Sequence, residues 1–170
     1  MALEWSLNLI KPDGISRGLI GQIITRFEQK NLRLVGLKIL WPSRELIEQA
    51  YSDKSDKPYF DKMVDYLTSG PIIAMVWEGE NAIIATRQII GKKDPLNSAP
   101  GTIRGDFANS MPQVLVHGAR DPEECETQLK LFFGEENRDL LIYDTLLGIE
   151  DTFSENDAEP ADEDAVGNEE

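Results

Sequence analysis

Apolar and polar residues alternate at the start of the chain. Leu3, Trp5, Leu7 and Leu9 take every second position, the period of a strand with one buried face. The period breaks at Lys11-Pro12-Asp13-Gly14, whose Pro and Gly predict a turn. Ile20, Ile23, Ile24 and Phe27 then follow i, i+3, i+4, i+7 spacing, one face of a helix, and Lys30 and Asn31 suit its C-terminal end. Residues 33–41, rich in Leu, Val and Ile, predict a second strand, and residues 43–69 predict two short helices with Pro58 near the start of the second. Ile72-Ile73-Ala74-Met75-Val76-Trp77 is a continuous apolar run, as in a strand buried on both faces. Asn81 stands where it can cap a helix that ends near Gly91.

Residues 92–113 show little periodicity, and a loop of that length inside a compact domain is usually functional. Residues 114–117 predict a fourth strand. Asp121-Pro122-Glu123-Glu124 opens a last helix, with Asp as N-cap, Pro first and Glu third, and Cys125, Leu129, Phe132 and Phe133 on its buried face. Strands interleaved with helices predict an α+β fold: a ferredoxin-like split βαβ unit with a four-stranded antiparallel sheet covered by helices.

Charge divides the chain. Of its 31 acidic residues, ten lie between Glu150 and Glu170, where there is no Lys or Arg; the other 21 share residues 1–149 with all 17 basic residues. We therefore expect a folded domain over 1–149 and an acidic, disordered tail over 150–170. An acidic body repels nucleic acid, so phosphate binding requires a local basic cluster. No apolar stretch approaches the roughly 18 residues of a membrane span, and no basic-then-apolar leader opens the chain. The single Cys125 excludes an intrachain disulfide and fits a reducing, cytoplasmic setting.

The chemistry concentrates near His117, the only histidine. The ordinary reading of a histidine after an apolar run is a core or strand-end position. Upstream of it, however, lies Pro100-Gly101-Thr102-Ile103-Arg104-Gly105-Asp106-Phe107, a loop whose glycines admit close backbone approach and whose Arg104 can hold phosphate bidentately. It lacks the Lys-Ser or Lys-Thr of a Walker P-loop. Lys11 ends the first strand and can aim a point charge at phosphate. Arg87 sits at the edge of a helix's apolar face, where it needs either a phosphate or a carboxylate. Tyr51, Tyr59 and Phe60 are candidates for an aromatic wall or for core. A neutral imidazole among such cations can attack a phosphoryl group and split a transfer into two half-reactions.

Asn8-Leu9-Ile10-Lys11-Pro12-Asp13-Gly14, Arg17-Gly18-Leu19-Ile20-Gly21, Arg26-Phe27-Glu28, Ser69-Gly70-Pro71, the 100–107 loop and His117-Gly118 occur in one order over residues 3–135. Together they resemble the nucleoside diphosphate kinases. The resemblance implies transfer of a γ-phosphate between nucleoside tri- and diphosphates, by a ping-pong route through phosphohistidine. It implies Mg2+ bound with the nucleotide rather than in a protein metal cage, and a homo-oligomer, hexamer or tetramer. It matches His117 to the nucleophile, Lys11, Tyr51, Arg87 and Arg104 to residues around the phosphates, and Tyr59 and Met111 to the two sides of the base.

The match has departures. Val114 stands for an Asn at the ribose and phosphate region, Lys93 for a Thr that contacts phosphate, Ala119 for a Ser, Arg120 for an Asp, and Gln128 for a Glu that supports the histidine. Lys93 can still serve phosphate as a cation. Losing Ser and Glu together removes an anion that orients the imidazole, and predicts a less well held histidine. The alternative reading is a nucleotide-binding regulatory or interaction protein of the same fold with weak or lost kinase activity.

Overall fold

The computed structural model describes residues 3–135. Its strands, β1 (Leu3–Ile10), β2 (Arg33–Leu40), β3 (Ile72–Glu80) and β4 (Val116–Gly118), form one antiparallel sheet in the order β2-β3-β1-β4. β1 pairs along its whole length with β3, from Leu3 opposite Glu80 to Ile10 opposite Ile73. β4 adds to the other edge of β1 and sets His117 opposite Leu9. β1 and β2 thus run the same way with β3 between them, the split βαβ arrangement of the ferredoxin-like fold.

Seven helices are described: α1 (Pro12–Ser16), α2 (Ile20–Glu28), α3 (Arg44–Ala50), α4 (Phe60–Leu67), α5 (Ala82–Ile90), α6 (Ile103–Phe107) and α7 (Pro122–Phe133). They cover both faces of the sheet. On one face Leu7, Leu9 and Val76 pack with Ile47, Val64, Leu67 and Phe132. On the other, Ile10, Met75 and Trp77 pack with Ile23, Phe27, Ile90 and Ile103, and Phe27 stacks on Trp77 with centroids 5.1 Å apart. This second layer corrects the one-faced reading of β1, because Ser6 and Asn8 are as buried as Leu7 and Leu9. Ser6 Oγ meets its need through Thr86 Oγ1 at 2.8 Å, as burial of a hydroxyl requires.

Local signals are only partly carried into the fold. The Lys11–Gly14 turn is in fact the start of α1, with Pro12 at its first position. Asn81 lies at φ +52 and its side chain caps nothing; Glu4, reaching from β1, accepts the hydrogen bond of Ile83 N at 2.9 Å instead. The 92–113 segment contains a 3-10 turn (Pro95–Asn97) and α6, capped by the Thr102 hydroxyl on Gly105 N. The last strand begins at Val116 because Leu115 turns into the left-handed region at φ +66. Asp121 caps α7 as its sequence predicts, accepting from Glu124 N at 2.8 Å, and Glu124 Oε2 accepts from Arg120 N at 2.7 Å.

Candidate active site

The end of β1, β4, the start of α7, the α3–α4 connection and the 91–112 segment meet around a cleft of about 640 Å3, within the range of small-molecule sites. The structure brings Lys11, Tyr51, Tyr59, Arg87, Lys93, Arg104, Met111, Val114 and His117 together to line it. Lys54, Lys62, Lys92 and Arg120 also line it, so eight cations face a single carboxylate, Glu124.

His117 lies at the half-buried floor. Its Nε2 is 3.0 Å from Gln128 Oε1. Gln128 is fully buried, and its Nε2 donates to Ala50 O at 3.4 Å and to Glu124 Oε1 at 3.3 Å. Two acceptors hold the amide nitrogen, so the amide oxygen turns to the imidazole and can only accept. The proton of the neutral ring therefore sits on Nε2, and Nδ1 carries the lone pair. Burial, reinforced by the Lys11 ammonium and opposed by the Gln128 hydrogen bond, pushes the His117 pKa down to about 3. The ring is neutral and nucleophilic across the physiological range. The expectation of a poorly held histidine is thus corrected. The Gln128 amide holds the imidazole by a hydrogen bond without bringing a charge to it. The Tyr51 ring adds an edge contact, with centroids 5.2 Å apart.

The cations are short of anions. Arg104 is half-buried and held by carbonyls: Nη2 donates to Val116 O at 2.7 Å and Nη1 to Lys92 O at 3.2 Å. Burial and then the neighbouring Arg87 lower its pKa to about 10. Gly105 makes this placement possible, since a Cβ there would lie 2.1 Å from Ala99 O. Lys11 is lowered to about 8, mainly by burial and then by Arg104, against a smaller opposing pull from Asp13. Arg87 has no carboxylate partner among the described residues. The Tyr51 hydroxyl is buried and unpartnered there too, and burial pushes its pKa up. Unmet donors and uncompensated charge in one cleft fit an anion that arrives with several oxygens.

At the mouth, Tyr59 and Met111 are about half exposed, and Lys93 Nζ stands 5.7 Å from the Tyr59 ring centroid. Val114 is buried, and only its carbonyl faces Arg104, at 3.4 Å. Arg120 is tied by its own charges to Asp121 at 2.8 Å and Asp53 at 3.2 Å. Sequence reading missed the part played by Asp13. One carboxylate oxygen accepts from Leu115 N at 3.0 Å and the other from the Tyr66 hydroxyl, which fixes the left-handed turn that delivers β4. Its partners lie 102 and 53 residues away, beyond any local pattern.

A ferredoxin-like domain with a pinned neutral histidine beneath Lys11, Arg87 and Arg104, which make no ion pair among the described residues, is a protein built for phosphoryl groups. Residues 4–138 match the nucleoside diphosphate kinase family. The chain is 50% identical over 131 residues to a nucleoside diphosphate kinase of Thermosynechococcus vestitus, covering 77% of this chain and 87% of that one. A nucleoside diphosphate kinase of Brevibacillus brevis is 46% identical over 134 residues, with 79% and 91% covered. Among solved structures, the Halobacterium salinarum nucleoside diphosphate kinase in complex with CDP superposes with TM-score 0.78 at 43% identity, covering 82% of this chain and 92% of that one. The chain belongs to the nucleoside diphosphate kinase family, and it is a phosphotransferase that moves phosphate between nucleotides. Among the described residues no helix is long and apolar enough to cross a membrane.

Proposed function

We propose that His117 Nδ1 attacks the γ-phosphorus of a nucleoside triphosphate, releases the nucleoside diphosphate, and then passes the phosphoryl group to a second nucleoside diphosphate. The observation that carries this is the Gln128–His117 contact at 3.0 Å beneath Lys11, Arg87 and Arg104, which make no ion pair among the described residues. The Nε2 proton stays on the ring throughout, so the phosphorylated imidazole is cationic and Gln128 Oε1 faces the positive charge. Lys11, Arg87 and Arg104 bear the phosphate charge, the Tyr51 hydroxyl donates to a phosphate oxygen, and Lys93 extends the cationic surface. The base lies between Tyr59 and Met111; stacking needs only a π-face, so every base is accepted. Val114 presents no side-chain hydrogen bond to the sugar.

Magnesium carried by the nucleotide supplies further neutralisation of the transferring phosphate. The cleft fits a metal held by phosphate oxygens, because its one carboxylate, Glu124, is engaged by Arg120 N and Gln128. The same reading takes residues 1–149 as the catalytic unit, 150–170 as a tail, and a cytoplasmic homo-oligomer, hexamer or tetramer, as the working form. The edge strand β2 supports assembly, since Leu37, Ile39 and the adjacent Trp41 are 54%, 65% and 69% exposed. The test is a phosphoenzyme trap. Wild type and His117→Ala are mixed with γ-labelled ATP and Mg2+, quenched in alkali, and chased with unlabelled GDP. Label on wild type alone, leaving as GTP, is expected; wild-type turnover in His117→Ala overturns the reading.

A further inference from the structure

The cleft carries more positive charge than the proposed reaction uses. Lys62 on α4 and Lys92 after α5, neither given a part in the reaction, are exposed at its mouth beside Lys93, and none of the three makes an ion pair among the described residues. They stand on two walls, with the Tyr59 ring beside Lys93. Outside the cleft the balance reverses. With the eight cleft cations and Glu124 set aside, residues 1–149 hold nine basic and twenty acidic side chains. The excess of positive charge at the cleft mouth thus stands against a net negative charge in the rest of the sequence, which favours the mouth for a polyanion.

The chain supplies such a polyanion. Residues 150–170 carry ten carboxylates and no cation. They are tethered to α7, whose first turns touch the site through Glu124 and Gln128. From Glu124 to Gly134 the helix rises about 15 Å at 1.5 Å per residue. Residues 136–149 span about 21 Å if helical and up to about 48 Å if extended. The acidic segment itself reaches about 70 Å extended. Its carboxylates are thus within range of the mouth whatever path the connection takes.

We propose that the cationic mouth at Lys62, Lys92 and Lys93 docks the chain's own acidic segment 150–170, which competes there with the phosphates of incoming nucleotide. This rests on the nucleotide site proposed above. Tethering of this length gives local concentrations near the millimolar range. A weak carboxylate–lysine contact then weakens nucleotide binding by about three- to tenfold at low salt. The contact is exposed, so salt screens it, and the protein's nucleotide affinity becomes sensitive to ionic strength. Chemistry at His117 is untouched, because the segment acts on entry and not on transfer.

The experiment compares the full chain with a full-length form in which the ten carboxylates of 150–170 are replaced by their amides. GDP binding is measured by calorimetry at about 20 mM and about 500 mM salt, where the screening length falls from about 20 Å to a few ångströms. The amide form is expected to bind GDP about three- to tenfold tighter at low salt, and both forms equally at high salt. Equal affinities at low salt, or weaker binding by the amide form, overturn the proposal. The place is tested by Lys62→Gln with Lys92→Gln in both forms: the low-salt difference falls below about twofold, and an undiminished difference overturns the assignment to this mouth. Binding is read without turnover. A failed phosphoenzyme trap therefore strikes the proposed function alone, whereas GDP bound by neither form strikes both.

Discussion

Replacing Gln128 by Leu removes the hydrogen bond to His117, the one its ring makes among the described residues, and leaves the packing volume nearly unchanged. Gln128 Oε1 accepts from His117 Nε2 at 3.0 Å, and the side chain is fully buried. Before reaction this bond joins two neutral groups. As phosphorus bonds to Nδ1 the ring becomes cationic, and the bond at Nε2 becomes charge-assisted. Hydrogen bonds to charged groups contribute about 1.5–3 kcal/mol, against about 1 kcal/mol for neutral pairs. The rate loses only the excess of the charge-assisted bond over the neutral one, about 0.5–2 kcal/mol, so at 1.36 kcal/mol per decade phosphorylation slows by about 2- to 30-fold. Lys11, Arg87 and Arg104 make no hydrogen bond with Gln128 among the described residues, so nucleotide affinity should stay within about twofold. Rapid-quench single turnover with γ-labelled ATP measures the step, calorimetry measures binding, and thermal unfolding confirms the fold. A phosphorylation rate equal to or above that of wild type, in a folded variant, refutes the role given to this amide.

Three further outcomes follow from the same geometry. Gln128→Glu places a carboxylate against the imidazolium form and raises the His117 pKa from about 3 by about 1–3 units. The neutral nucleophile is then lost as pH falls through the raised value, so the acid limb of kcat/KM moves up; a profile unchanged between pH 4 and 7 contradicts this. Lys11, at about 8, must be protonated to hold phosphate. Wild-type kcat/KM should therefore fall as pH rises through about 8, and in Lys11→Arg this limb should leave the accessible range; a limb that persists at the same pH assigns it to another group. Gly105→Ala drives a Cβ to 2.1 Å from the Ala99 carbonyl. Backbone must shift, at about 1–3 kcal/mol, with a lower Tm and weaker nucleotide binding as the Arg104 loop moves; an unaltered Tm refutes the close packing.

The substitutions around the nucleophile bear directly on whether this chain keeps its family's chemistry. Read as a list, Ala119, Arg120 and Gln128 suggest a dismantled site. In the fold they are accommodated. Ala119 is buried in the core, Arg120 is absorbed by Asp53 and Asp121 at the rim, and Gln128 keeps hold of the imidazole. The cost is electrostatic: without a carboxylate beside it, nothing raises the His117 pKa except a neutral hydrogen bond. A low pKa does not harm a nucleophile that must be neutral, provided the cationic phosphohistidine is still met by an acceptor.

The sequence by itself determined the strands, the principal helices, the cap of α7 and the identity of the residues that meet in the cleft. Those features are written in periodicity, in local capping chemistry and in motifs that keep their order along the chain. Tertiary structure decided the rest, because it depends on partners distant in the chain. β1 alternates in sequence yet is buried on both faces, since a second helical layer covers the face that carries Ser6 and Asn8. Asn81 could have capped α5, but Glu4, 79 residues away, does so. The left-handed Leu115 has no local signature; Asp13 holds it from the far end of β1. The tautomer of His117 is beyond any reading of residue types, because it follows from which way the buried Gln128 amide turns, and that is set by its hydrogen bonds to Ala50 O and Glu124 Oε1.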